Sequence, residues 1–383
     1  MRHSIQTTSI SSIPIAMSPD QSARPVSFAE TNIPKAAPTW KTHVIQAIRD
    51  PAELCSVLGL SRQLAEEAHA VMGNFPLLLP RTMLARITPG NAADPVLRQF
   101  LPTRAEAVSA PGFSADPLEE QAACPVPGVL AKYEGRILIL ATSACPVHCR
   151  YCFRRHLAHA GMERQMLSVA NPETTDKPCG PGAMSTTEDG FLSTICRYLE
   201  SRPDCREVIF SGGEPLLLDD ETLREWFLHI SQIPHVLRIR IHTRLPVVIP
   251  QRVTPELIDV LHSTRLQPLI VLHINHPQEI DETVSEAISR LAASGILLLC
   301  QSVLLAGVND APETLAGLYE RLAGLRVLPY YLHQLDRVLG AHHFDVPIVR
   351  GREIVQELRR RLPGYLVPRY VQELPGEQAK VPL

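Results

Sequence analysis

Cys145, Cys149 and Cys152 fall within eight residues of one another in the stretch SACPVHCRYCFRR. Thiolates are the preferred ligands of iron–sulfur clusters and of zinc. This spacing lets one loop present three sulfurs to one centre, and no second cysteine pair follows at zinc-finger spacing. The triplet alone is compatible with three readings. It could hold a cubane cluster with one iron left open, form part of a zinc site completed by a distant His or Cys, or consist of buried apolar thiols. An open coordination position is what a catalytic metal keeps for substrate. On the first reading, therefore, the missing fourth ligand is itself functional.

Further residues with chemical potential recur downstream at regular points. SGGEP begins at Ser211, IHTR at Ile241, HINH at His273 and HQLD at His333, each at the end of a short apolar run. Those runs are RILILAT from Arg136, REVIFS from Arg206, LRIRIHT from Leu237, PLIVLHI from Pro268, ILLLCQSV from Ile296 and LRVLPYYLH from Leu325. Amphipathic segments such as TPELIDVLHS and DETVSEAISRLAASG separate them, and Gly295 suits a helix C-cap. Alternating strands and helices build a parallel sheet whose strand ends share one face, and that face carries the chemistry. Six units are too few for a closed eight-stranded barrel. The expected fold class is therefore α/β, a partial (β/α)6 TIM-like barrel preceded by an N-terminal helical region.

The helical region begins near Trp40, with Asp50 as an N-cap and Pro51 in the first helical position. Residues 1–40 are rich in Ser, Thr, Pro and Ala and read as a disordered extension. The polar, Gly/Pro-rich stretch 161–190 reads as a surface insertion. The expected organisation is 1–40 extension, 41–128 helical region and lead-in loop, 129–372 barrel, and 373–383 C-terminal segment.

Composition narrows the function classes. Of 383 residues, 45% are hydrophobic and 20% charged, as in an ordinary globular protein, and the formal net charge of -3 gives no electrostatic case for nucleic acid or a membrane surface. Six of the nine cysteines are scattered without framework spacing, which fits a cytoplasmic protein better than a disulfide scaffold. The longest apolar run, from Ile296, is too short for a bilayer.

Together with CRYCFRR, IHTRLPVVIPQR, HINHP, CQSVLLAGVND, YYLHQLD and PGEQAKVPL, the triplet and SGGEP resemble the radical S-adenosylmethionine superfamily. Within it they resemble the lysine 2,3-aminomutases, in particular the smaller branch that makes β-lysine for modifying bacterial elongation factor P. The likeness runs from about Pro51 to the end, outside the 161–190 stretch. It implies a [4Fe-4S] cluster on Cys145, Cys149 and Cys152, with S-adenosylmethionine chelating the open iron. Gly212, Gly213 and Glu214 then meet its methionyl amino group. His273 lines its site, as do Asn275, Thr243 and Arg244.

The same resemblance implies pyridoxal phosphate bound covalently by Lys380, with Lys132 and Arg136 on its phosphate and Gln301 in contact with the cofactor. Lys132 stands where the family has arginine, and PGEQAK replaces a glycine run. A lysine this close to a chain end is ordinarily solvated; the strand-like YLVPRYVQ upstream is what ties this one down. Arg154 is expected on the substrate carboxylate, with Asp336 and Glu373 on the distal ammonium of lysine. The implied activity is that of an isomerase, moving the amino group of α-lysine to its β-carbon by radical chemistry. Its implied partners are an electron-donor protein and, indirectly, elongation factor P and its ligase. Two other readings are an aminomutase acting on arginine or another cationic amino acid, and a non-catalytic iron–sulfur or metal-binding protein.

Overall fold

Nine strands form one sheet whose spatial order is the order of the chain. They are β1 (Val129–Tyr133), β2 (Arg136–Thr142), β3 (Glu207–Gly212), β4 (Arg238–Thr243), β5 (Gln267–His273), β6 (Leu297–Val303), β7 (Val327–His333), β8 (Arg369–Gln372) and β9 (Val381–Pro382). The structure is a computed structural model and describes residues 39–73, 75–156 and 188–383. Apart from their last few residues, the expected 1–40 extension and 161–190 insertion lie outside the described residues. From β2 to β8 every pairing is parallel, and only the edge strands β1 and β9 run antiparallel. The six strands expected from the sequence are all present, each starting within two residues of its expected position. β8 adds a seventh parallel strand, and β1 does not pair with β9, so the barrel stays partial.

Alternation along each strand decides which side chains face inward. On β4, Ile239, Ile241 and Thr243 are buried while Arg238, Arg240 and His242 between them are half-buried on the opposite face. The first set packs under the helices; the second lines the inside of the curved sheet, where Arg240 pairs with Glu207 of β3 at 2.5 Å.

The helices begin where local chemistry sets them. An N-terminal group, α1 (Trp40–Ile45), α2 (Pro51–Val57) and α3 (Arg62–Val71), precedes α4 (Glu188–Glu200), α5 (Asp220–Ser231), α6 (Leu245–Val248), α7 (Pro255–Leu261), α8 (Glu282–Ala293), α9 (Pro312–Gly324) and α10 (Ile348–Arg361). Asp50, Ser61, Asp219, Thr254 and Asp281 each accept a backbone N–H of the helix that follows. On α8, Val284, Ala287, Ile288 and Leu291 form the buried face. Burying each larger aliphatic side chain of that face contributes about 1.5–3 kcal/mol. None of the described helices is long and apolar enough to cross a membrane.

The N-terminal region is fastened to the barrel by a buried cation. Arg86 Nε donates to Asp281 Oδ2 at 2.8 Å, and the Arg86 side chain is 1% exposed. Asp281 thus caps α8 and compensates Arg86 at once. Replacing it by alanine removes the cap and leaves that cation unpaired. The expected cost is about 2–4 kcal/mol, read as a lower denaturant midpoint.

Candidate active site

β2 ends at Thr142, where its register with β3 shifts, and the chain then turns into the cysteine loop. Two backbone bonds hold that loop against the end of β3: Gly213 N donates to Thr142 O at 2.6 Å and Glu214 N to Ala144 O at 2.8 Å. The approach is so close that a Cβ on Gly213 would lie 2.2 Å from the Ala144 carbonyl oxygen, and one on Gly212, which sits at φ +108°, 2.6 Å from that of Thr142. Glycine is needed here for the loop itself, a nearer reason than approach to a ligand. The Glu214 carboxylate is turned inward and fully engaged. It accepts from Leu216 N (3.1 Å), Thr243 Oγ1 (2.6 Å), Arg244 N (2.8 Å) and Leu245 N (3.1 Å). Glycines and glutamate together clip the cysteine loop to the ends of β3 and β4.

Cys145, Cys149 and Cys152 are half-buried free thiols on this loop. Burial raises the Cys145 thiol well above its usual value, with the neighbouring Cys152 and Cys149 adding to it; burial and Cys149 push Cys152 up to about 11. The three sulfurs are therefore close enough to repel one another as thiolates. Among the described residues, no three His, Cys, Asp or Glu side chains gather around a point as ligands of a single ion would.

Buried and half-buried arginines frame the loop, each paired with a carboxylate. Arg150 and Arg155 converge on Glu106 at 2.5 and 2.6 Å. Glu120 holds Arg154 in a fork, Nε and Nη2 each 2.8 Å from a carboxylate oxygen. The remaining Arg154 edge, Nη1, donates to Ser211 Oγ at 3.1 Å. Arg244 pairs with Glu279 at 2.6 Å. Asn275 and Thr243 are buried as well, so these residues form the wall behind the loop and not an exposed lining.

On the inner face of the sheet a second set converges. Lys132 of β1 reaches Glu373, just past β8, at 3.1 Å and Glu120 at 3.4 Å. The other Glu373 oxygen accepts from Lys380 Nζ. Lys380 is no solvated tail residue: the next two residues form β9, paired with Val371 and Gln372 of β8, and its amine lies 5.9 Å from the centre of the Tyr331 ring. Against the upward push of burial, Lys380 and Lys132 hold the Glu373 carboxyl down at about 2. Asp336 behaves in the opposite way, with burial and the Glu373 charge raising it to about 7. Arg337, the neighbour that could have neutralised Asp336, lies instead against Gly112. Arg136 stacks its guanidinium over Tyr133, 4.5 Å from the ring centre.

Deeper in, Gln301 bonds His273 Nε2 at 2.7 Å, and the His273 ring lies 6.0 Å from that of His242. Burial first, then nearby Arg244 and Arg154, lowers His273 to about 3, and burial holds His242 and His333 well below their usual value. The imidazoles are thus neutral. Of this set, Tyr331, His242 and His333 lie inside the quoted strand-end stretches without having been singled out, and Glu120 lies in none of them. Their place at strand ends was the available signal for the first three; for Glu120 there was none nearby in sequence.

A small apolar cluster, separate from the main core, covers this end of the sheet. Leu305, Val308, Leu335, Val338, Ala341 and Phe344 are buried together, with Phe113, Tyr151, Phe153 and Val303 against them. These residues come from the end of β6, the loops after β6 and β7, the cysteine loop and the lead-in loop, so apolar side chains from four segments pack together where the strands end.

Known proteins share this sequence nearly end to end. The L-lysine 2,3-aminomutase of Escherichia coli (strain K12) is 42% identical over 349 residues, covering 90% of this chain and 94% of its own. The chain belongs to the L-lysine 2,3-aminomutase family. The enzyme of the same name from Haemophilus influenzae is 41% identical, covering 89% of this chain and 94% of its own, and that of Clostridium subterminale is 36% identical, covering 90% and 77%. No protein-family model matches. Among solved structures, the native anSMEcpe with bound AdoMet and Cp18Cys peptide has a TM-score of 0.41 at 12% identity, covering 58% of each chain. A radical SAM methyltransferase from Sphaerobacter thermophilus has a TM-score of 0.35 at 20% identity, covering 47% of this chain and 56% of its own. Likeness at that level adds nothing about chemistry. As an L-lysine 2,3-aminomutase family member the chain is an isomerase, and the family's cofactors are a [4Fe-4S] cluster, S-adenosylmethionine and pyridoxal phosphate.

The glycine clip gives a direct test. Gly213→Ala drives a methyl group into the Ala144 carbonyl, an overpacking expected to cost about 1–3 kcal/mol and to displace the cysteine loop. Anaerobic reconstitution of that variant should give less than half the wild-type iron content.

Proposed function

We propose that the chain converts α-lysine into β-lysine with pyridoxal phosphate held at Lys380 and a radical generated at the Cys145–Cys149–Cys152 cluster. The observation that carries this reading is the placement of Lys380. β9 fastens it so that its amine enters the inner face beside Glu373, in the electrostatic reach of Asp336 and on the same sheet as the cysteine loop. When bound, the cluster with S-adenosylmethionine supplies a carbon radical, and pyridoxal phosphate supplies an electrophilic carbonyl and an electron-accepting ring.

The residues at hand suit those groups. Lys132 and Arg136, both near the start of the sheet, offer positive charge to a phosphate; Lys132 does so as a point charge and Arg136 as a planar fork. Glu373 pairs with Lys380, so the amine reaches a cofactor carbonyl only when that pair separates. Arg154, fixed by Glu120, keeps its Nη1 edge for the substrate carboxylate in place of Ser211. Asp336, whose burial raises it because no cation among the described residues pairs with it directly, receives a distal ammonium, and Glu373 joins it once Lys380 has turned to the cofactor. Gly212 and Gly213 let the end of β3 lie against the cysteine loop, which sets the loop beside the strand ends where the sulfonium cofactor would bind. Glu214 and Gln301 serve as supports, the first for the loop and the second for His273. The reductant is an electron-donor protein, the setting is the cytoplasm, and the product serves elongation factor P and its ligase; the sequence resemblance supports these three assignments.

Anaerobic reconstitution with iron, sulfide and pyridoxal phosphate should give lysine turnover that depends on added S-adenosylmethionine. Faster turnover of arginine would overturn the substrate, and a cofactor absorbance that borohydride fails to fix to Lys380 would overturn the cofactor site.

Asp336 makes this activity sensitive to pH. Because its proton must leave before it can pair with an ammonium, kcat/KM for lysine should fall about tenfold per pH unit below about 7. Above that pH the profile should be flat until other groups titrate. Asp336→Asn should abolish that acid limb and lower kcat/KM by about 2 kcal/mol or more, equivalent to thirtyfold.

A further inference from the structure

Next to the cysteine loop lies a polar network sealed from water, and the mechanism above does not use it. Arg244 is at its centre. Nη1 donates to Cys149 Sγ at 2.9 Å and to the Tyr151 hydroxyl, while Nη2 donates to Gln99 Oε1 at 2.7 Å and Glu279 Oε2 at 2.6 Å. The guanidinium lies 4.8 Å from the centre of the Phe100 ring. Glu279 is held in turn by Asn275 N (2.9 Å) and His276 N (3.0 Å), and Asn275 Nδ2 reaches Gln99 Oε1 (2.9 Å) and the Tyr151 hydroxyl (2.7 Å). The Arg244 and Glu279 side chains are 6% and 0% exposed.

A buried ion pair is weak evidence of a stability role, since well-packed apolar side chains often do as well. This pair differs from the others around the loop because its cation also gives an N–H to a sulfur of the triplet. The reduction potential of an iron–sulfur centre follows its net charge, the hydrogen bonds to its sulfurs and its burial. Reduction adds one negative charge. A cation and an N–H at a ligand sulfur favour that state, a nearby carboxylate opposes it, and in a dry interior neither effect is screened.

We propose that Arg244 is a positioning residue for the cluster's electronics: its N–H to Cys149 and its charge, moderated by Glu279, set the potential at which the centre takes one electron from an external low-potential donor. This rests on reading Cys145, Cys149 and Cys152 as cluster ligands, and it assigns a role to two residues outside the ligand set.

The test uses the full chain, reconstituted anaerobically, beside Arg244→Gln, Arg244→Lys and Glu279→Gln. Iron and sulfide are counted, and the reduced-cluster EPR signal is titrated with dithionite and mediators without S-adenosylmethionine or lysine. With a full [4Fe-4S] complement, Arg244→Gln should lower the midpoint and Glu279→Gln should raise it. Each shift should be at least tenfold in the reduction equilibrium, 59 mV for one electron. Arg244→Lys should fall between Arg244→Gln and wild type. Opposite shifts from two halves of one ion pair are not what a merely structural role produces. Unmoved midpoints, or shifts of the same sign, overturn the proposal. So does loss of the cluster from both charge variants while wild type keeps it, which makes the pair scaffolding alone. Wild-type protein that assembles no four-iron centre overturns the ligand reading itself, and is recognised separately by its iron and sulfide content.

Discussion

One carboxylate shared between two ammonium groups joins the edges of a sheet that backbone hydrogen bonding leaves open. Lys132 stands on β1 and Lys380 directly before β9, at opposite ends of the strand order, and Glu373 binds both. That contact requires the sheet to curve until its first and last strands meet. Only in a curved sheet do Ser211, His242, His273, Gln301 and His333 share an interior. A ladder of hydrogen bonds at the same seam would have filled the space with backbone. An ionic clasp instead leaves side chains there, and it holds Glu373 low while burial and the Glu373 charge raise Asp336.

The cysteine loop depends on the same curvature from the other direction. Its position is set by a backbone contact with β3 that only glycine tolerates, and Glu214 carries that constraint on to β4 through four hydrogen bonds. Arg154 then ties the loop to the lead-in segment through Glu120, which also touches Lys132. The cluster loop and the lysine clasp are therefore two ends of one chain of charges: Arg154, Glu120, Lys132, Glu373 and Lys380. Alternating signs along that chain let each member be buried at tolerable cost, and removing any one would strand its neighbours.

Much of this was legible in the sequence where signals are local. Short apolar runs between amphipathic segments located six strands, and Asp50 followed by Pro51 marked a helix start that the structure reproduces. The cysteine spacing and the residues at strand ends named the functional face. What escaped depends on contacts distant in sequence. Val129–Tyr133 is too short and mixed to stand out as a strand, and β9 exists only because β8 is beside it. Glu120 opens a single 3-10 turn in the lead-in segment, and nothing nearby in sequence shows that it meets Arg154, 34 residues later. The glycines at 212 and 213 were visible, but the carbonyls that require them belong to a loop some 70 residues upstream.

The apolar cluster around Leu305, Leu335 and Phe344 stands apart from the main core and is far smaller. Separate packing means separate cooperativity: amides in the loops after β6 and β7 can exchange through a partial opening while the strands beneath stay protected. Such an opening would give small molecules a route to the interior without global unfolding. Stability at the mouth and stability of the barrel are thus two different quantities, and selection can adjust one while leaving the other alone.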